Sequence, residues 1–267
     1  MNILLLDAYN LIYRAKSGFL KGDNPVVYNF FRGIRPIVEK FNPDKVYFVL
    51  EGNPSFRTDL NDAYKANRVS SDSSFHDQKA KIINMVKHCL PFTTSRHPDL
   101  ECDDTIATLV KIHCEKGDKC TVVSGDSDFI QLLNVFENCE IYHPIRKVFI
   151  DKPDYDYVLW KALKGDATDN ISGIPGCGDK TATKLIKDPV LMKEYLQKDN
   201  RMTIFERNVH LIRLVDFSHD MQKYEKHDGT ADWEMLADIF DEMEFSSMLK
   251  EKTWNKYVNT FSNLTDT

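Results

Sequence analysis

Apolar residues along this chain fall into two kinds of run. Three short stretches are nearly continuous in apolar residues: 3–6 (ILLL), 46–50 (VYFVL) and 120–124 (CTVVS). Runs of that length read as strands buried on both faces, as in a parallel sheet covered by helices. Between them, apolar positions recur at helical spacing over 26–41, 79–90 and 101–116. The last of these places Cys102, Ile106, Leu109, Val110 and His113 on one face and stops at Gly117. Strand alternating with helix predicts an α/β fold: a central, mostly parallel sheet with helices on both faces. Helices are also predicted over 154–163, 180–187 and 190–216, with a break at Asp188-Pro189. The segment 53–78 lacks a core pattern. It is basic at YKANR (64–68), then rich in serine and aspartate, and is expected to be a mobile loop or a partly helical excursion. From 221 onward the chain is acidic and then mixed, with Trp233 and Trp254 as expected packing anchors.

The polar residues that end the apolar runs change the picture. The three runs lead into Asp7, Glu51 and Asp126. In open α/β sheets ligands bind beyond the carboxyl ends of the strands. One acid there is ordinarily a turn former or a helix cap, but an acid after each of three strands is more than turns need. Glu101, Asp103 and Asp104 open a predicted helix, where the helix dipole accounts for one or two acids. Asp126 and Asp128 alternate, and Asp166 and Asp169 stand three apart. If these carboxylates converge, their repulsion in an empty pocket is severe. Hard divalent cations with a taste for oxygen, magnesium or manganese, relieve it. So many acids suit two ions with further carboxylates behind the direct ligands, and two-ion sites serve phosphodiester cleavage.

A different chemistry follows at once. Gly173-Ile174-Pro175-Gly176-Cys177-Gly178 precedes a helix bearing Lys180, Thr181, Lys184 and Lys187. Glycines allow close backbone approach, helix N-terminal amides attract anions, and the three lysines recur at helical spacing as one basic stripe. This is the pattern of a helix-hairpin-helix, which grips nucleic-acid backbone without reading sequence. A helix cap and turn alone would explain the glycines but not the stripe.

Bulk properties constrain this modestly. The chain has 267 residues, 42% hydrophobic and 28% charged, enough for one sizeable globular core. A net charge of −6 weighs against a nonspecific polyanion binder unless the carboxylates are gathered at one site. None of the six cysteines forms a C-x-x-C pair and no histidines have zinc-ligand spacing, so reduced, buried thiols are expected. The apolar run in MNILLLDAYN is too short for a signal peptide or a membrane span, which points to the cytoplasm and gives no weight to the N-x-[ST] matches at Asn170 and Asn263.

Taken together, these motifs resemble the structure-specific 5′-nucleases: flap endonucleases, the 5′-nuclease domain of bacterial DNA polymerase I, and the stand-alone bacteriophage and bacterial 5′-exonucleases. The carriers are Asp7, Phe56-Arg57, Tyr64-Lys65-Ala66-Asn67-Arg68, Glu101-Cys102-Asp103-Asp104, Gly125-Asp126-Ser127-Asp128 and the stretch from Lys164-Gly165-Asp166 through Ala182, in family order. The resemblance implies a PIN-like 5′-nuclease fold forming a single domain over 1–267. Within it lie an arch over 53–80, an H3TH-type helix-hairpin-helix over 160–190 and a C-terminal helical part over 200–267 packed on the core. It implies a first metal cluster of Asp7, Glu51, Glu101 and Asp103 with Asp104 beside them, and a second of Asp126, Asp128, Asp166 and Asp169. Lys65 and Arg68 match basic residues at the base of an arch through which a single-stranded 5′ end passes. Arg57, Tyr64 and the hairpin residues Gly173, Ile174, Gly176, Gly178, Lys180, Thr181, Lys184 and Lys187 match DNA-contacting positions, and the hairpin of the family often binds K⁺ through backbone oxygens. Two Mg²⁺ ions, replaceable by Mn²⁺, are the implied cofactors. Branched or nicked DNA, with RNA–DNA hybrid as an extension, is the implied partner of a monomer active in replication and repair, in a host cytoplasm if phage-encoded. No motif identifies a protein partner such as a sliding clamp. Glu51 stands where the family usually has Asp, after which the loop to Phe56 is short, and Cys102 stands where a small residue is usual. Two alternatives remain open: a PIN-like ribonuclease for single-stranded RNA, and a duplex-binding module without turnover.

Overall fold

The computed structural model describes residues 1–18, 22–54, 56–68 and 72–264. The chain opens with β1 (Asn2–Asp7), α1 (Ala8–Lys16), α2 (Pro25–Phe41) and β2 (Lys45–Val49), then α3 (Phe56–Leu60), α4 (Ser73–Cys89), β3 (Thr93–Arg96) and α5 (Cys102–Glu115). The middle holds β4 (Lys119–Val123), α6 (Ile130–Val135), β5 (Cys139–His143), β6 (Val148–Phe149), α7 (Tyr157–Lys164), β7 (Gly165–Asp166) and β8 (Ile171–Ser172). The remainder comprises α8 (Asp179–Lys187), α9 (Pro189–Leu196), α10 (Arg201–Ile212), β9 (Glu225–Asp228), α11 (Trp233–Glu242), α12 (Ser246–Leu249) and α13 (Glu251–Thr260).

Seven strands form one sheet in the order β6-β5-β4-β1-β2-β3-β9, and β7-β8 form a separate pair. The five inner strands run parallel, while β6 and β9 add antiparallel edges. β1 sits centrally, with Leu6 opposite both Phe48 and Val123. Its side chains alternate between two cores, as strand geometry demands. Leu4 and Leu6 join α1, α2, α4 and the C-terminal helices, whereas Ile3 and Leu5 join α5 and α6. A third core, around Leu163, Ile174, Ala182 and Leu211, lies within α7–α10.

The predicted α/β architecture is therefore present, and differences arise where pattern is weak. The helix expected over 190–216 is two helices, α9 and α10, separated by the polar run 197–200. The helix expected from 79 begins at Ser73, because the Asp72 side chain accepts from the Phe75 amide and caps it. The 53–78 segment thus contains α3, turns over 62–67 and the first part of α4, and residues 69–71 lie outside those described. The C-terminal part expected over 200–267 is divided: α10 packs on α7, β9 extends the sheet, and α11–α13 cover α2 and α4. Trp233 and Trp254 do pack there, against Phe261 and Phe240. All six cysteines are free, as expected, and among the described residues no helix is long and apolar enough to cross a membrane.

Phe240 is fully buried, with Phe31, Phe245, Trp254 and Tyr257 around its ring. Phe240→Ala should lower unfolding free energy by about 3–5 kcal/mol in urea denaturation. A loss under about 1 kcal/mol would show that α11–α13 are an appendage and not part of the main core.

Candidate active site

Because β1 lies between β2 and β4, Asp7, Glu51 and the turn after β4 emerge side by side at one end of the sheet. The chain crosses from β1 to β2 on one side, and β4 adds on the other. Asp7 therefore stands at the topological switch point, where α/β sheets open a crevice. Asp7 is 5% exposed. Its carboxylate accepts from the Asn10 amide (3.0 Å) and from Ser124 Oγ (2.7 Å). Ser124 Oγ in turn accepts from the Asp126 amide (3.0 Å), and Asn10 Oδ1 accepts from the Gly125 amide (3.0 Å). The turn carrying Asp126 and Asp128 is thus pinned to the end of β1. α5 starts on the same side and delivers Glu101, Asp103 and Asp104 in its first turn.

Asp104 does not join the open crevice. It is fully buried, and both its oxygens accept from Arg57, Oδ2 from Nη1 and Oδ1 from Nη2, each at 2.7 Å. Arg57, only 1% exposed, also donates to Glu101 Oε2 (3.0 Å) and to the carbonyls of Leu211 (3.0 Å) and Arg213 (3.3 Å). An arginine so enclosed cannot touch DNA. It ties α3 to α5 and to the end of α10, and it holds Glu101 from behind. Tyr64, another expected DNA contact, is also turned inward: its hydroxyl donates to Glu101 Oε2 at 3.0 Å. Charge pattern reveals that these side chains are polar, not which way they face.

Lys65 and Arg68 do reach the carboxylates. Lys65 Nζ donates to Glu101 Oε1 at 2.6 Å and lies 3.7 Å from Asp169 Oδ2, and Arg68 Nη2 donates to Asp169 Oδ1 at 2.8 Å. Lys65 adopts a φ of 54°, a left-handed conformation uncommon outside glycine, and its amide donates to the Asp169 carbonyl (3.0 Å). The 64–68 turn is therefore locked across the first and second carboxylate groups.

In the second group, Asp128, Asp166 and Asp169 each offer an oxygen within 4.8 Å of the others, a grouping able to hold a metal ion. Sequence reasoning missed Lys161 here. Its Nζ pairs with Asp128 Oδ1 and, at 2.5 Å, with Asp166 Oδ2. The available signal was a lysine within α7 on the face otherwise occupied by Tyr157, Val158, Ala162 and Leu163. Asn208 was missed as well. It is fully buried and donates to the carbonyls of Ala162 and Ser172, both at 2.9 Å, so it fixes α10 to the base of the hairpin.

Electrostatics reflect the crowding. Burial, reinforced by the charge of Asp126, pushes Asp7 up to about 6. Burial and then Glu101 and Asp7 push Glu51 up to about 7, against the pull of Lys65. Asp103 is raised well above the ordinary carboxylate range by burial and by Asp126, Asp7 and Glu51. Burial and Asp126 raise Asp128 to about 7 although Lys161 opposes it. Asp166 goes the other way: burial would raise it, but the Lys161 ammonium outweighs burial and holds it low. Asp126 thus acts on both groups, which form one continuous field of negative charge.

The hairpin adjoins this field. Gly165 ends α7 at φ 85°, and a Cβ there would come within 2.3 Å of the Gly173 amide nitrogen. Two strands of backbone meet at that point, and β7 and β8 pair through Gly165–Ser172 and Asp166–Ile171. Ile174 is buried and its amide donates to the Leu163 carbonyl, while Gly176 turns the chain at φ 77°. Along α8, Ala182 and Leu185 face the core, and Lys180, Lys184 and Lys187 face solvent, with Thr181 partly covered. Lys187 pairs with Asp154 at 2.7 Å.

A family model described as "5′-3′ exonuclease, N-terminal resolvase-like domain" matches residues 2–157. A thermostable DNA polymerase I of Thermus thermophilus is 33% identical over 204 residues, which cover 70% of this chain and 24% of that protein. The chain spans about a quarter to a third of the length of such curated relatives. Among solved structures, T5 5′-exonuclease with bound divalent zinc matches with TM-score 0.68 at 20% identity, over 82% of this chain and 92% of that one. Bacteriophage T5 D15 flap endonuclease in complex with DNA and metal ions matches with TM-score 0.67 at 16% identity, over 99% of both chains. These structural likenesses establish a shared fold.

Glu51 supplies a pH test of the crowding. Its folded pKa lies above the ordinary value, so its ionisation disfavours the metal-free fold. Below about pH 4.5 it is protonated folded or unfolded and contributes nothing; as pH rises through about 7 the penalty develops fully. In EDTA, Glu51→Gln should match wild type in stability near pH 4.5 and exceed it by on the order of 2 kcal/mol at about pH 8. Equal stability of the two proteins at the higher pH would refute the crowding.

Proposed function

The chain belongs to the 5′-3′ exonuclease family, and from that premise we propose that it is a divalent-metal-dependent 5′-nuclease. It hydrolyses phosphodiester bonds near the 5′ end of flapped, nicked or primer-bearing DNA, RNA primers in RNA–DNA hybrids included, as a cytoplasmic monomer serving replication and repair. The observation that carries this reading is the gathering of Asp7, Glu51, Glu101, Asp103, Asp126, Asp128, Asp166 and Asp169 at one sheet end beside a lysine-faced hairpin.

The donor set is all carboxylate oxygen, which fits Mg²⁺ and Mn²⁺ and not a soft metal. Asp7, Glu51, Glu101 and Asp103 would hold one ion, and Asp126, Asp128, Asp166 and Asp169 a second. When bound, the two ions supply the charge that activates an attacking water and stabilises the leaving 3′ oxygen. The protein does the positioning. Ser124 and Asn10 fix Asp7 and the Asp126 turn, and Arg57 and Tyr64 fix Glu101. Lys65 and Arg68 pair with carboxylates at the rim, from where they would stabilise charge on the scissile phosphate. Hydrolysis on this plan leaves 5′-phosphate and 3′-hydroxyl ends. Gly173, Gly176 and Gly178 would present backbone to a phosphate, with buried Ile174 anchoring the turn through its bonds to Leu163 and Cys177. Lys180, Thr181, Lys184 and Lys187 would line the adjoining helix for duplex backbone, with K⁺ at the turn. On this reading the described residues 56–68 and 72–80 would flank the path of the 5′ strand, as an arch does. Asp166 and Gly173 are joined by the short β7-β8 pair, so the grip stands at a fixed distance from the cut.

A labelled 5′-flap duplex should be cut with Mg²⁺ at a single position near the junction, and Asp126→Asn should reduce the rate by a factor on the order of 10³ or more, with Lys65→Ala costing about 10²-fold. Cleavage of single-stranded RNA but not of flapped DNA would favour a ribonuclease, and DNA binding without turnover under Mg²⁺ or Mn²⁺ would overturn the nuclease reading altogether. Binding to duplex should weaken linearly with log salt, and the slope should flatten by roughly one phosphate equivalent when Lys184 is replaced by Ala. An unchanged slope would remove Lys184 from the grip.

A further inference from the structure

Lys161 is the one cation among the described residues that lies between two members of the Asp128, Asp166 and Asp169 group, and the mechanism above gives it no task. It is 4% exposed and projects from an otherwise apolar face of α7. A buried ammonium is costly unless its charge is met. Here it is met by the carboxylates that would hold the second ion, which touch Nζ directly. Lysine suits this place better than arginine, since it is a compact point charge on a flexible four-carbon stem.

We propose that Lys161 is a tethered counter-ion of the second carboxylate group, standing in for a divalent cation between Asp128 and Asp166 and swinging aside when one binds. The two cannot share the same oxygens, because like charges in close contact repel strongly in a poorly solvated site. There is room for the exchange. Lys161 and Lys164 line a cleft of about 940 Å³ that also takes in Ser127, Tyr157, Trp160 and Asp166. The displaced ammonium stays protonated and turns into that cleft, beside the phosphate the ions would engage. The tether keeps this half of the site assembled without metal, and it makes the second ion the weaker-bound of the two. Lys161 is on this account a positioning residue, and the proposal rests on the two-ion reading above.

Calorimetric titration of the metal-free protein with Mn²⁺ tests it. Wild type should show a tighter and a weaker site. Lys161→Met should tighten the weaker site at least tenfold and leave the tighter one unchanged, and Lys161→Arg, which keeps the charge, should remain weak. A weaker site that is unaltered or further weakened in Lys161→Met, with wild-type circular dichroism, overturns the proposal alone. A single ion bound by wild type and by Lys161→Met, with cleavage intact in wild type, overturns the two-ion reading and this proposal with it. Wild type offers a check independent of any variant: reductive methylation with ¹³C-formaldehyde, read by NMR, should modify Lys161 faster in saturating Mg²⁺ than in EDTA. Equal rates would show that the ammonium does not move.

Discussion

Repulsion among carboxylates is the constraint on which the rest of this molecule turns. A parallel sheet brings the ends of adjacent strands together, and here the ends of β1, β2 and β4 carry or lead into Asp7, Glu51 and Asp126. α5 adds Glu101 and Asp103, and the hairpin region adds Asp166 and Asp169. Raised carboxyl groups at Asp7, Glu51, Asp103 and Asp128 register the strain. Much of the surrounding architecture serves to hold this charge in place. Arg57 neutralises Asp104 and braces Glu101 from inside, Lys65 and Arg68 clamp Glu101 and Asp169 from the rim, and Lys161 sits between Asp128 and Asp166. The elements that bear Arg57, Lys65 and Arg68, namely α3 and the 64–68 turn, are positioned by the same contacts, so the site helps to fold them.

The same geometry joins two chemistries that look opposed in sequence. The stretch from Gly165 to Lys187 goes from carboxylates to a glycine turn and a lysine stripe within a few residues. In the fold, β7 and β8 turn the backbone back on itself, Gly165 and Gly173 touch, and Asn208 ties both to α10. The lysine-bearing face of α8 is consequently tied through these contacts to the carboxylate crevice. Under the proposed function, a nucleic-acid strand would engage both only if its path matched the span between them.

What was legible in the sequence, and what was not, follows from the kind of signal each residue gives. The inner strands β1, β2 and β4 are near-continuous apolar runs, against which the acids that follow stand out in the sequence. β3 (TTSR) and β9 (EKHD) carry no such pattern: β3 is short, and β9 is an exposed edge held by pairing with β3. The split between α9 and α10 was hidden because apolar residues continue at near-helical spacing on both sides of 197–200. Within the site, spacing located the acids but not their orientation, so Asp104, Arg57 and Tyr64 were given open roles and are in fact buried supports. Lys161 was hidden for the opposite reason, as one polar residue in a helix that otherwise reads as core. Burial of a charge is a tertiary property, decided by partners far away in sequence.

The central claim is that divalent cations relieve this repulsion, and thermal melting tests it most directly. Metal-free protein at about pH 8, above the raised values of Asp7, Glu51 and Asp128, should melt several degrees higher once Mg²⁺ or Mn²⁺ saturates it, by mass action, and Asp126→Asn should lose most of the increase. A melting temperature indifferent to both ions would mean that the carboxylates do not act together, and the account would fail at its root.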